Sequence, residues 1–202
     1  MTDANTERTF AVLVEDVPGV LNRVASLFRR RSFNIVSLNV GRTHERGVSR
    51  MTIVVEADAR TARLVEANLY KLVNVLAVED ITARATVARD LALIRVRAGA
   101  EERAAILQIC EVFRARVVDV APDSLVVEIT GAQEKIEGLE TLLAPFGITE
   151  MVQTGAIALT RGADAGAAEL HGLAAYGLAS GLPARSPDAS ESNTDEAAER
   201  AA

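Results

Sequence analysis

Apolar and polar positions alternate from Arg8 to Glu15, with Phe10, Val12 and Val14 on one face, the period of a half-buried strand. Val20, Val24, Leu27 and Phe28 then recur at helical spacing, opposite Asn22, Arg23, Ser26, Arg29 and Arg30. Two runs rich in β-branched residues, 34–42 and 48–57, follow on either side of a turn that ends in Gly47. A second helix is predicted over 61–73, with Leu64, Val65, Leu69, Leu72 and Val73 inward, and a strand over 75–82. The order β-α-β-β-α-β is the split arrangement of ferredoxin-like folds.

The second half repeats that order. The pattern predicts a strand over 90–97 and a helix over 101–114 with Ile106, Ile109, Cys110 and Phe113 on its apolar side. Strands over 117–120 and 125–130 surround the turn Ala121-Pro122-Asp123-Ser124. A helix over 133–143 is expected to stop at Pro145 and Gly147, before a strand over 148–152 and a last short one within 155–160. The predicted class is α+β, with two ferredoxin-like βαββαβ modules in tandem at 8–84 and 88–162 and a tail at 163–202. Each sheet would carry helices on one face only, so its other face must be covered or left wet. Val, Leu and Ile on both faces of several strands favour cover by a partner, and hence dimerisation.

Composition narrows the class. Hydrophobic residues make up 49% of the 202, yet aromatics are 3% and Trp is absent, so aliphatic side chains must fill the cores. No apolar run approaches the ~20 residues that span a bilayer, and the first residues are polar and acidic, unlike a secretory signal. One cysteine, Cys110, leaves no internal disulfide framework and no cysteine cage for a metal. A cytoplasmic location is the expectation. Seven acidic and two basic side chains fall in 163–202, which therefore holds five of the six net negative charges. That segment, rich in Ala, Gly, Ser and Pro, is expected to be disordered, with a short helix near 167–178 as its one candidate element. A near-neutral body with an acidic tail argues against nucleic-acid and membrane partners.

The candidate chemistry lies at Glu15-Asp16-Val17-Pro18-Gly19-Val20-Leu21, which joins the first strand to the first helix. Pro18 is expected to preset φ for a helical first turn, and Gly19 leaves the backbone bare for a ligand. The unpaired N–H groups of that turn form a small anion site, and Asp16 beside them can hold a cation. Such a pair suits a zwitterion such as a free amino acid; the other reading is an ordinary capped strand-to-helix turn.

The stretch from Phe10 to Phe28, then Phe33-Asn34-Ile35-Val36-Ser37-Leu38, then Ser49–Val55, resembles the regulatory (small) subunit of acetolactate synthase. Lys71–Val75, Leu91–Val96, Ile129–Ala132, Pro145–Ile148 and Leu159–Gly162 match as well, so the likeness runs over about 8–162. The resemblance implies an N-terminal ACT domain that binds an effector and dimerises, and a second ferredoxin-like module behind it. It implies no catalytic residues and no cofactor on this chain. Thiamine diphosphate, FAD and Mg belong to the catalytic (large) subunit, which condenses pyruvate with a 2-oxo acid. The small subunit would raise that activity and make it sensitive to a branched-chain amino acid, valine above all.

By the same resemblance, the effector sits where two ACT domains of a homodimer meet. Asp16, Pro18, Gly19, Val20 and Leu21 come from one chain and Asn34 and Ile35 from the other. Asn39 and Gly41, on the second strand, are further candidate contacts; their other reading is an inward polar residue and a bulge glycine.

Other features favour structural roles. Arg29-Arg30-Arg31 ends a helix, where cations suit the dipole. His44 and His171 have no companions at metal-ligand spacing, and Cys110 falls on an apolar helix face. Glu79-Asp80 lies near a strand end, and Glu101-Glu102 opens a helix. RNA-recognition modules share the element order, but they stack bases on strand aromatics, and Ser49–Val55 has none. An acylphosphatase-like enzyme would need a phosphate-cradling first loop with a positioned Arg, whereas this loop carries Asp16. A stand-alone ACT-domain sensor acting on some other partner is the alternative function.

Overall fold

The computed structural model describes residues 6–162. The expected tail and its candidate helix lie outside the described residues.

The first module runs β1 (Thr6–Glu15), α1 (Val20–Arg31), β2 (Ile35–Arg42), β3 (Val48–Ala57), α2 (Ala59–Leu69) and β4 (Val75–Asp80). Its antiparallel sheet has the order β2-β3-β1-β4. Phe10 lies opposite Ile53 and Val12 opposite Met51 on the inner face. Val24, Phe28, Val65 and Leu69 from the two helices close over them, all essentially without solvent contact. Each such side chain stabilises the fold by roughly 1.5–3 kcal/mol through burial. With two aromatics in the cluster's described core, aliphatic packing does most of this work.

The second module repeats the path with β5 (Thr86–Arg97), α3 (Arg103–Phe113), β6 (Arg116–Val120), β7 (Ser124–Gly131), α4 (Gln133–Leu143) and β8 (Ile148–Gln153). Its order, β6-β7-β5-β8, is the same as in the first sheet. Ile94, Val127 and Ile129 pack beneath Ile106, Cys110, Ile136 and Leu139. Burial pushes the Cys110 thiol up, as suits an inert core residue. A short strand, β9 (Ile157–Thr160), completes the described chain.

Several boundaries differ from the sequence pattern for identifiable reasons. Pro18 does not open the helix. Pro18-Gly19 forms a turn with Gly19 at φ 85° and ψ −6°, the left-handed third position of a type II turn, and α1 begins at Val20. The second helix starts earlier than expected, because the Asp58 carboxylate caps it by accepting from the Thr61 N–H at 2.6 Å. It also ends at Leu69, so Val73 lies in the following loop, 87% exposed, and Leu64 points outward instead of inward. The fourth helix does end at Leu143 as expected, and Pro145 lies in a single 3-10 turn, Ala144–Phe146, that closes at Gly147.

The largest departure is β5. It was expected to begin at Asp90 but starts at Thr86. Its first four residues leave the sheet and pair with β9, from Thr86–Thr160 to Arg89–Ile157. This two-stranded ribbon lies on the helix-free face of the first sheet. Ala88 and Ala158 meet Ala11 and Ile81 there, and the Arg50 guanidinium donates to the Ala158 carbonyl at 3.0 Å. Part of the face expected to need a partner is thus covered by the chain itself.

Helices α1 and α3 share an ending. In α1, the Phe33 N–H reaches the Phe28 carbonyl at 3.1 Å and the Ser32 N–H the Arg29 carbonyl at 3.2 Å, the bonding of a Schellman motif. Phe28 and Phe33 supply its hydrophobic contact, edge to face at 5.9 Å. In α3, Ala115 and Arg114 bond Cys110 and Glu111 in the same way. Ser32 (φ 56°) and Arg114 (φ 51°) therefore hold the left-handed position usually given to glycine, a conformation that costs a residue with a Cβ about 1–2 kcal/mol. Ser32→Gly and Arg114→Gly should each raise stability in urea titrations, by about 0.5–1 kcal/mol, and the gains should add. Loss of stability in both would refute the strain.

Candidate functional site

The candidate residues fall into three groups. The first is the turn between β1 and α1. Asp16, Pro18 and Gly19 are exposed, Leu21 is half exposed, and Val20 is buried in the core beneath them. Gly19 is the N-cap and contributes its carbonyl to the Arg23 N–H at 3.1 Å. No side chain caps this helix, so the leading N–H groups of its first turn are left to solvent or a ligand. No side chain comes within 4 Å of where a Gly19 Cβ would stand, which makes the approach open.

Asp16 is held at both its backbone and its carboxylate. Its N–H donates to the Gly47 carbonyl at 2.8 Å, tying the turn to the β2–β3 hairpin. Its carboxylate lies 3.2 Å from Arg42 Nε, at the far end of β2. Asp16 and Arg42 together line a recess of about 350 Å³ closed by Thr43 and by Glu45, Arg46, Gly47 and Val48 of the hairpin. Arg42 was not singled out by sequence reasoning, which treated it as a strand terminus. The signal was a cation at the last position of a strand whose hairpin returns beside the turn.

The second group, Asn34 and Ile35, lies elsewhere. Ile35 opens β2 and packs against the first core, while Asn34 is exposed. Glu15 lies opposite Val48 of β3, and Ile35 opposite Val55. Seven residues of β3 separate those positions, about 23 Å at 3.3 Å per residue. Within one chain, the Asp16–Leu21 turn and Asn34 occupy opposite ends of the sheet.

The third group, Asn39 and Gly41, faces the helix-free side. They share a groove of about 260 Å³ with Arg50 and Thr52, roofed by Val87, Ile157 and Leu159 of the β5–β9 ribbon. Gly41 is not a bulge glycine. It pairs regularly with Arg50, and the irregularity of β2 lies between Ile35 and Ser37. Burial lowers the Arg50 pKa, and the opposed attraction of Glu79 partly restores it.

At the other end of the same strand, the turn between β8 and β9 touches β2. Gly155 has φ 81°, and a Cβ there would stand 3.0 Å from the Ser37 Cβ. The second module therefore contacts β2 two residues from Ile35.

The remaining polar pairs are structural. Glu79 binds Arg84 at 2.9 Å and Asp80 binds Arg8 at 3.4 Å, one carboxylate to each side of β4. Glu102 accepts from the Gly99 N–H at 3.0 Å just before α3. Among the described residues, no three His, Cys, Asp or Glu side chains converge as metal ligands, and no helix is long and apolar enough to cross a membrane.

A family model described as the small subunit of acetolactate synthase matches residues 89–162, and one described as the AHAS small subunit-like ACT domain matches residues 10–77. The acetolactate synthase small subunit of Mycobacterium leprae is 51% identical over 154 residues, covering 76% of this chain and 91% of that protein. The probable acetolactate synthase small subunit of Archaeoglobus fulgidus is 48% identical over 156 residues, covering 77% and 98%. The crystal structure of the acetolactate synthase small subunit from Thermotoga maritima superposes with a TM-score of 0.72 at 39% identity, covering 78% of this chain and 98% of that one.

The Asp16–Arg42 pair is solvent-exposed, with 86% of the Arg42 side chain accessible. Arg42→Ala should therefore change stability by less than about 0.5 kcal/mol in urea unfolding. A loss several times larger would show that the pair holds the hairpin against the turn.

Proposed function

The chain belongs to the acetolactate synthase small-subunit family, and from that premise we propose that it activates a catalytic large subunit and imposes feedback inhibition by a branched-chain amino acid, valine foremost. Thiamine diphosphate, FAD and Mg are taken to reside on that catalytic chain. One observation carries the reading of the site: an uncapped, glycine-led helix start next to a carboxylate, some seven strand positions from the Asn34–Ile35 end of the same sheet.

That separation favours a site shared between two copies. β2 is an edge strand, with Val36 and Val40 each more than two-fifths exposed along it. A twofold axis beside β2 reverses the partner strand, so the partner's Asn34 end would meet this chain's Asp16–Leu21 end. The N–H groups of α1 would take the ligand carboxylate, Asp16 its ammonium, and Leu21 with the opposing Ile35 its branched side chain. Asp16 is already paired with Arg42, so the ligand ammonium must compete for that carboxylate while Arg42 adds positive charge near the ligand carboxylate.

Inhibition requires that the ligand bind one arrangement of the assembly better than another. Two contacts join β2 and β3 to the second module: Ser37 against Gly155, and Arg50 to the Ala158 carbonyl. A shift of β2 at the seam would be passed on there. A coupling of about 1–3 kcal/mol is typical of such linkage, a five- to 150-fold change in affinity. The match of residues 89–162 to the small-subunit model favours this reading over a stand-alone sensor.

Added to the catalytic chain, the purified protein should raise acetolactate formation, and valine, leucine or isoleucine should lower it again. No change in rate on mixing would refute the assignment. Gly19→Asp should keep activation and lose inhibition, because a carboxylate would repel the ligand's own. Asn34→Ala should weaken inhibition. Mixing these two variants tests the shared site directly. A mixed dimer carries one intact turn facing one intact Asn34, so inhibition should rise above the average of the two variants; a site contained in one chain would gain nothing on mixing.

A further inference from the structure

Arg42 is the last residue of β2, and its Nε lies 3.2 Å from Oδ2 of Asp16. Neither side chain has another hydrogen-bond or ion-pair partner among the described residues. A guanidinium carries five N–H donors and a carboxylate engages two of them at most in a fork, so Arg42 keeps donors in reserve. The Asp16 side chain is 39% exposed, which leaves it open to a ligand as well. The recess beside the pair has charged lining of both signs, Asp16 and Glu45 with Arg42 and Arg46, as a zwitterion requires.

Place and direction agree with such a role. Val40 lies opposite Met51 of the helix-side core, and residues two apart on a strand share a face. Arg42 is therefore on the side of the sheet that carries α1 and its uncapped N–H groups. β2 is also the edge strand of the proposed seam. When two copies of Ile35–Arg42 pair antiparallel along their length, the first residue of one meets the last of the other. Arg42 then stands opposite the partner's Ile35, between its own Asp16 and the partner's Asn34. Backbone N–H groups accept a neutral carbonyl as readily as an ion in shape, whereas a guanidinium fork matches the two oxygens of a carboxylate.

We propose that Arg42 makes the effector seam specific for a free α-carboxylate: its guanidinium joins the α1 N–H groups in holding that carboxylate while Asp16 receives the ammonium. The inference rests on the shared site proposed above and assigns a role within it. The Asp16–Arg42 pair of the free chain opens, and each half takes the ligand charge opposite to its own.

Titration calorimetry on the full chain separates this role from a structural one. The probe is whichever of valine, leucine and isoleucine binds the wild type most tightly, set against its own α-amide, which keeps the side chain and the ammonium but has no carboxylate. The wild type should prefer the acid. Arg42→Ala should weaken the acid roughly tenfold, the worth of one charge-assisted hydrogen bond. The same variant should bind the amide at least as tightly as the wild type does, because Asp16 is released to the ligand ammonium. Arg42→Lys, which keeps the charge without the planar fork, should recover part of the lost affinity. Unchanged affinity of Arg42→Ala for the acid, or an equal loss for acid and amide, would overturn the role of Arg42 and leave the shared site standing. No binding of any of the three amino acids to the wild type would overturn both.

Discussion

A four-stranded sheet with both helices on one face has a second face that water will not stabilise when it carries aliphatic side chains. In the first module that face bears Ala11, Leu13, Val48 and Val54, all nearly inaccessible. Part of the cover is a two-stranded ribbon made from the beginning of β5 and all of β9. Because its contacting residues are Ala88 and Ala158, the ribbon comes close enough for Arg50 to bond the Ala158 carbonyl. The modules are thereby joined by packed surface as well as by chain continuity. The Asn39–Gly41 groove is a consequence of that apposition.

The antiparallel register imposes a second constraint. Strands in a sheet do not fold back on themselves, so the Asp16–Leu21 turn and Asn34 stay at opposite ends of the first module whatever else moves. A ligand that needs both must recruit two copies. β2 is well placed for this, since one side is an open edge and its inner residues pack into the core, while Ser37 touches the second module at Gly155. A strand with neighbours of all three kinds cannot shift without consequence for each.

Much of this was legible from residue pattern. The alternation in β1, the helical stripe of α1 and the repeated element order fixed the class and most element positions, because burial on one face writes its period into the sequence. Cys110 as a core residue was legible for the same reason, and so was the division of Glu79 and Asp80 between the two sides of β4, although both side chains are largely buried in ion pairs with Arg84 and Arg8 rather than solvated. Backbone details were less so. Ser32 and Arg114 end their helices in a left-handed conformation without the glycine that usually signals it. Pro18 read as a helix opener, although Pro followed by Gly is equally the signature of a type II turn. Val73 fitted the helical stripe, but the chain had already left the helix after Leu69.

What the chain determined unaided is local: where apolar side chains recur with a period of two or 3.6, and where a glycine frees the backbone at position 19. What only the folded molecule decided is how distant segments meet. Thr86–Arg89 leaves its sheet to pair with Ile157–Thr160, 68 to 74 positions on; Arg42 comes to rest beside Asp16; and Asp90 is enclosed by Gln153 and α4 with one oxygen unpartnered. Such encounters depend on register and on the packing of one module against the other, and neither leaves a periodic trace in the order of residues.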